Sequence, residues 1–367
     1  MKTDIQTPAL LLDAAKAERN CRTMRERLES HGVALRPHVK TAKNVEVARM
    51  ALGAASGPIT VSTLREAEYF FGHGFTDILY AVGIVPAKLE RVAELAAKGA
   101  RMAVIVDSVD AARAVAKHAG RVRALIEIDS DGHRAGIRAG EPRLIEVGRA
   151  LGPAMQGVMT HAGDSYSCDT VDGIRTMAAR ERDAVVACAN ALQAAGIPCP
   201  VVSVGSTPTA TFADSFEGVT EVRVGVYVFH DLVMAGLGVC AIDDIAISVA
   251  ASVIGHQRDR NWLITDGGWM AMSRDRGTAK QKVDQGYGVV CAMDGKPVDD
   301  LIVVEVNQEH GIVARRDGGP IEFERYPVGT VLRVLPNHAC ATAAQFGAYE
   351  VFRDDKRTAR WERVNGW

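Results

Sequence analysis

From about residue 10 to residue 240, short apolar runs alternate with longer segments in which apolar side chains recur every three or four positions. The runs are Val33–Leu35, Ile59–Val61, Ile78–Ala81, Met102–Val106, Ala124–Ile128, Gly157–Met159, Val201–Val204 and Glu221–Val224. They are brief and rich in β-formers at consecutive positions, the pattern of strands covered on both faces. The amphipathic segments are Ala14–His31, Val45–Leu52, Thr63–Phe71, Pro86–Lys98, Ser108–His118, Pro142–Leu151, Gly173–Ala195 and a short one near Thr209–Phe216. Helix starts carry capping residues, as in Ser62-Thr-Leu-Arg-Glu66 and Asp107-Ser-Val-Asp110. Eight strand–helix units in succession predict a (β/α)8 TIM-type barrel, with an open doubly wound sheet as the alternative. No GxGxxG follows the first strand, so dinucleotide binding has little support.

After about residue 240 the pattern changes. Ile245–Val253, Asn261–Thr265, Gly288–Met293, Leu301–Val306, Gly311–Ala314 and Thr330–Val334 read as strands separated by Gly, Pro and Asp turns. Helical periodicity is nearly absent there. The expected α/β architecture is therefore a barrel over residues 1–240 followed by a C-terminal β domain over 241–367. The first residues are candidates to join the β domain.

Bulk properties narrow the class. A chain of 367 residues can bury two cores. The net charge of −2, from 43 basic and 45 acidic side chains, gives no electrostatic reason to expect nucleic acid or a membrane surface as partner. Cys21, Cys168, Cys188, Cys199, Cys240, Cys291 and Cys340 are odd in number and scattered, with no CxxC pair. They read as reduced thiols of a cytosolic enzyme, not as a disulfide framework. Met1–Pro8 has no apolar signal core, and no apolar run is long enough to span a bilayer. A cytoplasmic location is expected.

Candidate chemistry begins at Arg36-Pro-His-Val-Lys-Thr-Ala-Lys-Asn44. Pro37 keeps the chain extended after the first barrel strand. Lys40 then falls where that strand opens into a loop, the place where parallel α/β enzymes keep their reacting groups. A lysine in a partly desolvated cleft becomes a usable amine and can form a Schiff base with an aldehyde cofactor. A solvated surface lysine is the alternative. Gly205-Ser-Thr-Pro-Thr209 follows Val201–Val204 and offers close backbone approach, hydroxyls and helix-start N–H groups. That set suits a phosphate as well as an ordinary helix cap. Gly225, one strand later, can add N–H groups to the same anion.

Arg134, in Glu127-Ile-Asp-Ser-Asp-Gly-His-Arg-Ala-Gly136, can hold a ring oxygen or a carboxylate. His161 and Tyr166, in Thr160-His-Ala-Gly-Asp-Ser-Tyr166, can pack a ring or handle a proton. Lys40, Arg134, His161, Gly205 and Arg223 all fall at C-terminal ends of different predicted strands, which a barrel gathers at one mouth. In Pro336-Asn-His-Ala-Cys-Ala-Thr342, His338 and Cys340 are two apart and would point the same way on a strand. Imidazole plus thiolate suits a divalent ion, zinc being the natural choice. Two protein ligands leave positions open for water or substrate, and a packed turn is the alternative.

Taken as an ordered set, these motifs resemble the D-serine dehydratase / D-threonine aldolase family, pyridoxal 5'-phosphate enzymes of the alanine-racemase-like fold. The set also includes Thr7-Pro8, Gly225-Val-Tyr-Val-Phe229 and Asp266-Gly-Gly268, so the resemblance covers nearly the whole chain. It implies that Lys40 carries the cofactor and acts as base. Gly205, Ser206, Thr207 and Gly225 would hold its phosphate, and Arg223 would face the pyridine nitrogen. Tyr227, Arg134, His161 and Tyr166 would line the ring and substrate, with Tyr166 also catalytic. His338 and Cys340 would bind a divalent metal (Zn, Mg, Mn or Co).

Within the family, Trp269-Met-Ala-Met-Ser-Arg-Asp-Arg-Gly-Thr278, Asn307-Gln-Glu-His-Gly-Ile312 and Asn337-His-Ala-Cys-Ala-Thr342 are most like members that dehydrate 3-hydroxyaspartate. D-serine dehydratases carry a histidine where Ala42 stands, and aldolases an aspartate where Cys340 stands. The resemblance thus implies an ammonia-lyase turning the small 3-hydroxy-D-amino acid D-threo-3-hydroxyaspartate into oxaloacetate and ammonia. Arg274 and Arg276 are candidates for the second substrate carboxylate. D-serine or D-threonine dehydration and D-threonine aldol cleavage are the rival reactions on this scaffold. A non-catalytic cofactor-binding barrel is a remoter rival. A homodimer is implied as well.

Overall fold

The computed structural model describes residues 5–354 and 356–367; residues 1–4, half of the Met1–Pro8 stretch, lie outside the described residues. The chain divides into two compact units, one of residues 21–227 and 364–367, the other of residues 1–20 and 228–363.

Strand β1 (Ala9–Asp13) and helix α1 (Ala14–Ser30) come first. Then strands and helices alternate as β2 (Ala34–Pro37), α2 (Val45–Leu52), β3 (Ile59–Val61), α3 (Leu64–Gly72), β4 (Asp77–Gly83) and α4 (Pro86–Ala97). They continue as β5 (Arg101–Val106), α5 (Val109–Ala116), β6 (Val122–Ile128), α6 (Arg143–Leu151), β7 (Met155–Thr160), α7 (Val171–Ala194), β8 (Val201–Val204), α8 (Thr207–Phe212) and β9 (Glu221–Val224). Local chemistry sets the helix ends. Asn44 Oδ1 accepts the N–H groups of Glu46 and Val47 at the start of α2, and Gly53 ends it at φ 65°. Thr63 and Ser108 cap α3 and α5 in the same way.

Among the described residues, β2 to β9 form an eight-stranded parallel sheet in the order β2-β9-β8-β7-β6-β5-β4-β3. A parallel bridge between His38 and Thr60 brings the end of β2 against β3, so the barrel is nearly closed. Alternate strand residues share a face. On the inner face Leu79, Ala103, Ile105, Leu125 and Met159 pack together. Toward β8, β9 and β2 the register replaces this apolar layer with Ser203, Glu221, Arg223 and Arg36. These four make a hydrogen-bonded chain. Arg36 Nε donates to Glu221 Oε2 (2.7 Å), Ser203 Oγ donates to Glu221 Oε1 (2.8 Å), and Arg223 Nη1 donates to Ser203 Oγ (2.7 Å). Arg36 also pairs with Asp77 at the start of β4 (2.9 Å).

The other unit contains α9 (Leu232–Gly236), β10 (Ile247–Gln257), β11 (Trp262–Thr265), α10 (Trp269–Met272), β12 (Gly288–Cys291), β13 (Pro297–Val306) and β14 (Gly311–Arg315). It ends with β15 (Val331–Pro336), α11 (Ala339–Ala343), β16 (Ala348–Arg353) and β17 (Lys356–Glu362). Its sheet runs β11-β14-β13-β12-β15-β10-β1-β16-β17, with β10 also pairing to β11. The first half of β10 pairs with β1 and β15, and a bulge between Val253 and Gly255 turns its second half onto β11. Leu232, Ile245, Val289, Cys291, Ile302 and Leu335 form a core there.

The barrel and the β domain agree with the expected fold class. Three strands were not anticipated. In β1 the apolar Ala-Leu-Leu-Leu run passes into α1 through Asp13 alone, whose Oδ1 accepts Lys16 N–H (3.0 Å), and β16 and β17 mix charged with apolar side chains. No helix of the described residues is long and apolar enough to cross a membrane.

Arg36 bridges two carboxylates in the barrel, Glu221 at a side-chain exposure of 11% and Asp77 at 23%, and Asp77 also meets Arg101 at 3.2 Å. Arg36→Met should destabilise the protein by about 3 kcal/mol in urea denaturation, because it strands partly buried charge. A change below about 1 kcal/mol would place this pair among weak surface ion pairs.

Candidate active site

β2 runs two residues past its predicted end, to Pro37, whose lack of an N–H is tolerated at a strand end. The chain then folds into a tight turn. His38 N–H donates to Val224 O (2.7 Å), Val39 N–H to Thr60 O (2.9 Å), and Lys43 N–H to Val39 O (2.7 Å). Lys43 takes a left-handed φ of 47°. Its Nζ pairs with Glu66 Oε1 at 3.1 Å, a carboxylate with no exposure. Lys40 therefore sits on a turn anchored at both ends. The expectation of a desolvated cleft differs from the structure: Lys40 is exposed on this turn. Lys40 N–H reaches His38 Nδ1 at 3.4 Å. His38 is held neutral well below its ordinary range by burial and then by the positive charges of Lys40 and Arg223.

The turn after β8 is built on close approach. Gly205 has φ 153°, and a Cβ there would lie 1.8 Å from Arg223 O of the neighbouring strand. At Gly225 a Cβ would meet His38 O at 3.0 Å and Thr41 Oγ1 at 3.1 Å. Ser206 caps α8, its Oγ accepting Thr209 N–H (3.2 Å). Thr207 Oγ1 is buried without a hydrogen-bond partner among the described groups. The unsatisfied buried hydroxyl of Thr207, at the start of α8, fits an anion such as the phosphate of pyridoxal phosphate.

His161 joins this turn to the end of β7. Its Nδ1 lies 2.7 Å from Gly205 O, so the neutral ring carries its proton on Nδ1 and leaves Nε2 as an acceptor. Burial, followed by the charges of Lys40, Arg134 and Arg223, lowers it to about 3 despite that hydrogen bond. Tyr166 packs against it with ring centroids 6.2 Å apart. Arg223 is buried and donates to Thr160 O (2.5 Å) as well as to Ser203. Burial lowers it to about 10, so it is still a cation at neutral pH. Arg134 is exposed and lies 3.7 Å from Glu127, whose carboxyl is pushed up by burial against the pull of Arg134. The barrel thus brings Lys40, Arg134, His161, Tyr166, Gly205, Ser206, Thr207, Arg223 and Gly225 to one end of its strands. Tyr227 is wholly buried, and the ionisable groups its phenol feels are Cys21 and Arg25 of α1.

In the other unit, His338 and Cys340 are not on a strand as expected. β15 ends at Pro336, and Asp231 Oδ2 accepts Ala339 N–H (2.9 Å), turning the chain into α11. His338 occupies the cap position and Cys340 the first turn. The two side chains nevertheless meet in a hydrogen bond. His338 Nδ1 lies 2.6 Å from Asp275 Oδ2, which leaves Nε2 as the nitrogen for a metal. Burial works to lower His338, but Asp275 and Cys340 push it up to about 11. No group of three or more His, Cys, Asp or Glu suited to a metal exists among the described residues. An ion at His338 and Cys340 would complete its shell with water or substrate.

Arg274 and Arg276 flank Asp275 in sequence. Arg274 lies over the Trp269 ring at 4.3 Å, while Arg276 pairs with Asp284 and lies over Tyr287 at 5.3 Å. Both guanidinium groups are thus already engaged rather than loose in solvent.

The sequence reading overlooked Asp275, Asp231 and Glu181. Asp275 is the acid between two arginines already singled out. Asp231 carries no signal beyond its cap position before α9. Glu181 interrupts the apolar stripe of α7 formed by Ile174, Ala178, Val185, Cys188 and Leu192.

Comparison with known proteins extends the picture. The alanine racemase N-terminal domain family matches residues 12–232, and the putative serine dehydratase domain family matches residues 246–352. The chain is 52% identical to D-threo-3-hydroxyaspartate dehydratase of Delftia sp. (strain HT23), covering 99% of this chain and 98% of that one. The structure of that protein superposes with a TM-score of 0.97 over 99% of both chains. Its His→Ala variant and its Cys→Ala variant, the latter in a metal-free form, give the same score of 0.97. D-serine dehydratase of Dictyostelium discoideum is 31% identical over 96% of this chain and 95% of its own. D-threonine aldolase of Filomicrobium marinum is 28% identical, with a TM-score of 0.80 over 98% of this chain and 96% of its own. With both domain families and full-length relatives in agreement, the chain belongs to the D-serine dehydratase / D-threonine aldolase family of alanine-racemase-like proteins.

Proposed function

We propose that the protein is a pyridoxal-phosphate- and divalent-metal-dependent dehydratase converting D-threo-3-hydroxyaspartate to oxaloacetate and ammonia. One observation carries the reading: 52% identity to a dehydratase of that substrate, across 99% of this chain, which also holds an imidazole–thiol pair at His338 and Cys340. The His→Ala and Cys→Ala variants made of that relative, one of them metal-free, support a metal role for the pair.

Bound pyridoxal phosphate supplies an electron sink beside the substrate Cα, and a bound divalent ion supplies a Lewis acid for the departing β-hydroxyl. The chain's own residues do the rest. Lys40 would hold the cofactor aldehyde at Nζ, and the same atom would serve as the base for the Cα proton. Gly205, Ser206, Thr207 and Gly225 seat the phosphate. Arg223, a cation with donors engaged by Ser203 and Thr160, disfavours a proton on the ring nitrogen it would face. His161, neutral and oriented by Gly205 O, packs the ring with Tyr166 and Arg134, while Tyr227 lies buried toward α1 and supports the site from behind. Tyr166 is the further proton-handling group. His338 and Cys340 hold the ion, and Asp275 fixes the imidazole orientation. Arg274 and Arg276 answer the second substrate carboxylate.

A homodimer in the cytoplasm is part of the proposal. The seven cysteines, none of them in a disulfide, suit a reducing compartment.

Incubation with D-threo-3-hydroxyaspartate should yield oxaloacetate and ammonia in equal amounts, and a chelator should abolish both. Glycine with an aldehyde would identify an aldolase, and full turnover after chelation would remove the metal from the reaction.

Metal binding carries its own pH signature. Without metal, His338 stays protonated up to about 11, so an ion must displace that proton. Affinity for Zn2+ should therefore rise with pH across the neutral range and fall as pH drops. Calorimetry in buffers of different ionisation enthalpy should find about one proton or more released per ion. No release at pH 7 would contradict the ligand assignment.

A further inference from the structure

Glu181 lies in the middle of α7 (Val171–Ala194) and is 2% exposed. Its Oε1 accepts the N–H of Gly205 (2.9 Å) and the N–H of Ala162 (3.1 Å). Its Oε2 takes the hydroxyl of Thr209 (2.7 Å). One carboxylate therefore holds the residue after His161, the first residue of the turn after β8, and the first turn of α8. The connection goes further. Thr209 Oγ1 contacts Ser206 Oγ (2.9 Å), and Ser206 Oγ contacts Ser165 Oγ (2.8 Å). Gly205 is held on both sides, its N–H by Glu181 and its C=O by His161 (2.7 Å).

A buried carboxylate is costly unless donors satisfy it, and here two backbone N–H groups and a hydroxyl do so. An apolar side chain at this position of α7 would suit the helix face and leave both N–H groups unanswered. With Gly205 N–H drawn to Glu181 and Ser206 N–H directed to Thr209 Oγ1 (3.3 Å), Thr207 keeps its unpartnered hydroxyl.

We propose that Glu181 is a positioning residue that shapes the Gly205–Thr207 turn from behind and so gives the barrel its selectivity for a phosphorylated over a non-phosphorylated pyridoxal. This rests on the reading that the Gly205–Thr207 turn seats the cofactor phosphate. Glu181 itself touches neither cofactor nor substrate. It acts through the backbone of Gly205 and Ala162 and the hydroxyl of Thr209.

The test is equilibrium binding of pyridoxal phosphate and of pyridoxal to the full-length, cofactor-stripped chain, followed by absorbance and fluorescence. The unaltered protein should prefer pyridoxal phosphate strongly. Glu181→Ala should reduce that preference about tenfold or more while pyridoxal affinity stays within about twofold, since the lost acceptor leaves the turn unset. Glu181→Gln retains an oxygen for the two N–H groups and an amide for Thr209, and should restore most of the preference. An Ala variant with the unaltered ratio overturns the proposal, as does an equal loss for both ligands. If the Ala variant does not fold, Glu181→Asp, one methylene too short to reach both N–H groups, should show the same selective loss, and an unchanged ratio would overturn the proposal. If the unaltered protein binds both ligands equally, the phosphate reading of the turn itself fails, a result distinct from a Glu181 variant that keeps a strong preference.

Discussion

A guanidinium enclosed in a parallel barrel has to be answered by acceptors, and much of the barrel's polar architecture answers Arg223. Thr160 O at the end of β7 and Ser203 Oγ on β8 take its N–H groups. Ser203 in turn donates to Glu221, and Glu221 is held by Arg36. Four strands are thus joined across the inner face by one polar chain that replaces the apolar layer present elsewhere. It leaves Arg223 cationic and immobile at the end of the strands where Lys40, His161 and Gly205 also stand. The same charge, with those of Lys40 and Arg134, helps hold His161 neutral. An environment with three cations and two neutral imidazoles suits an anionic ligand and keeps ring nitrogens available as acceptors.

The other unit obeys a different constraint. A histidine and a cysteine two residues apart reach each other here because the chain turns at Asp231, not because a strand aligns them. Without an ion, His338 holds its proton between Asp275 and Cys340. The carboxylate that stabilises the imidazolium would also orient the ring for a metal, so at the proposed site proton and ion would compete for one imidazole.

Most of the barrel was legible in the chain. Ile59–Val61, Val201–Val204 and Glu221–Val224 appear as strands with the bounds their β-rich runs suggest, and α2 has the bounds its periodicity suggests. What escaped depends on contacts distant in sequence. β1 is a strand because β10 and β16 flank it, which nothing within Ala9–Asp13 announces. The proposed site residues at strand ends could be placed from the sequence because topology gathers strand ends. Glu181 and Asp275 were not, because each works by accepting hydrogen bonds from a group far along the chain. The expected desolvation of Lys40 was a statement about its surroundings that spacing cannot make, and the structure shows it exposed.

Lys40 is the amine proposed to hold the cofactor, with Lys43 three residues on committed to Glu66. Borohydride reduction of the cofactor-loaded chain, followed by peptide mass spectrometry, tests this most directly. A phosphopyridoxyl group on Lys40 is the predicted result. Its appearance on Lys43 or any other lysine, with Lys40 unmodified, would contradict the account.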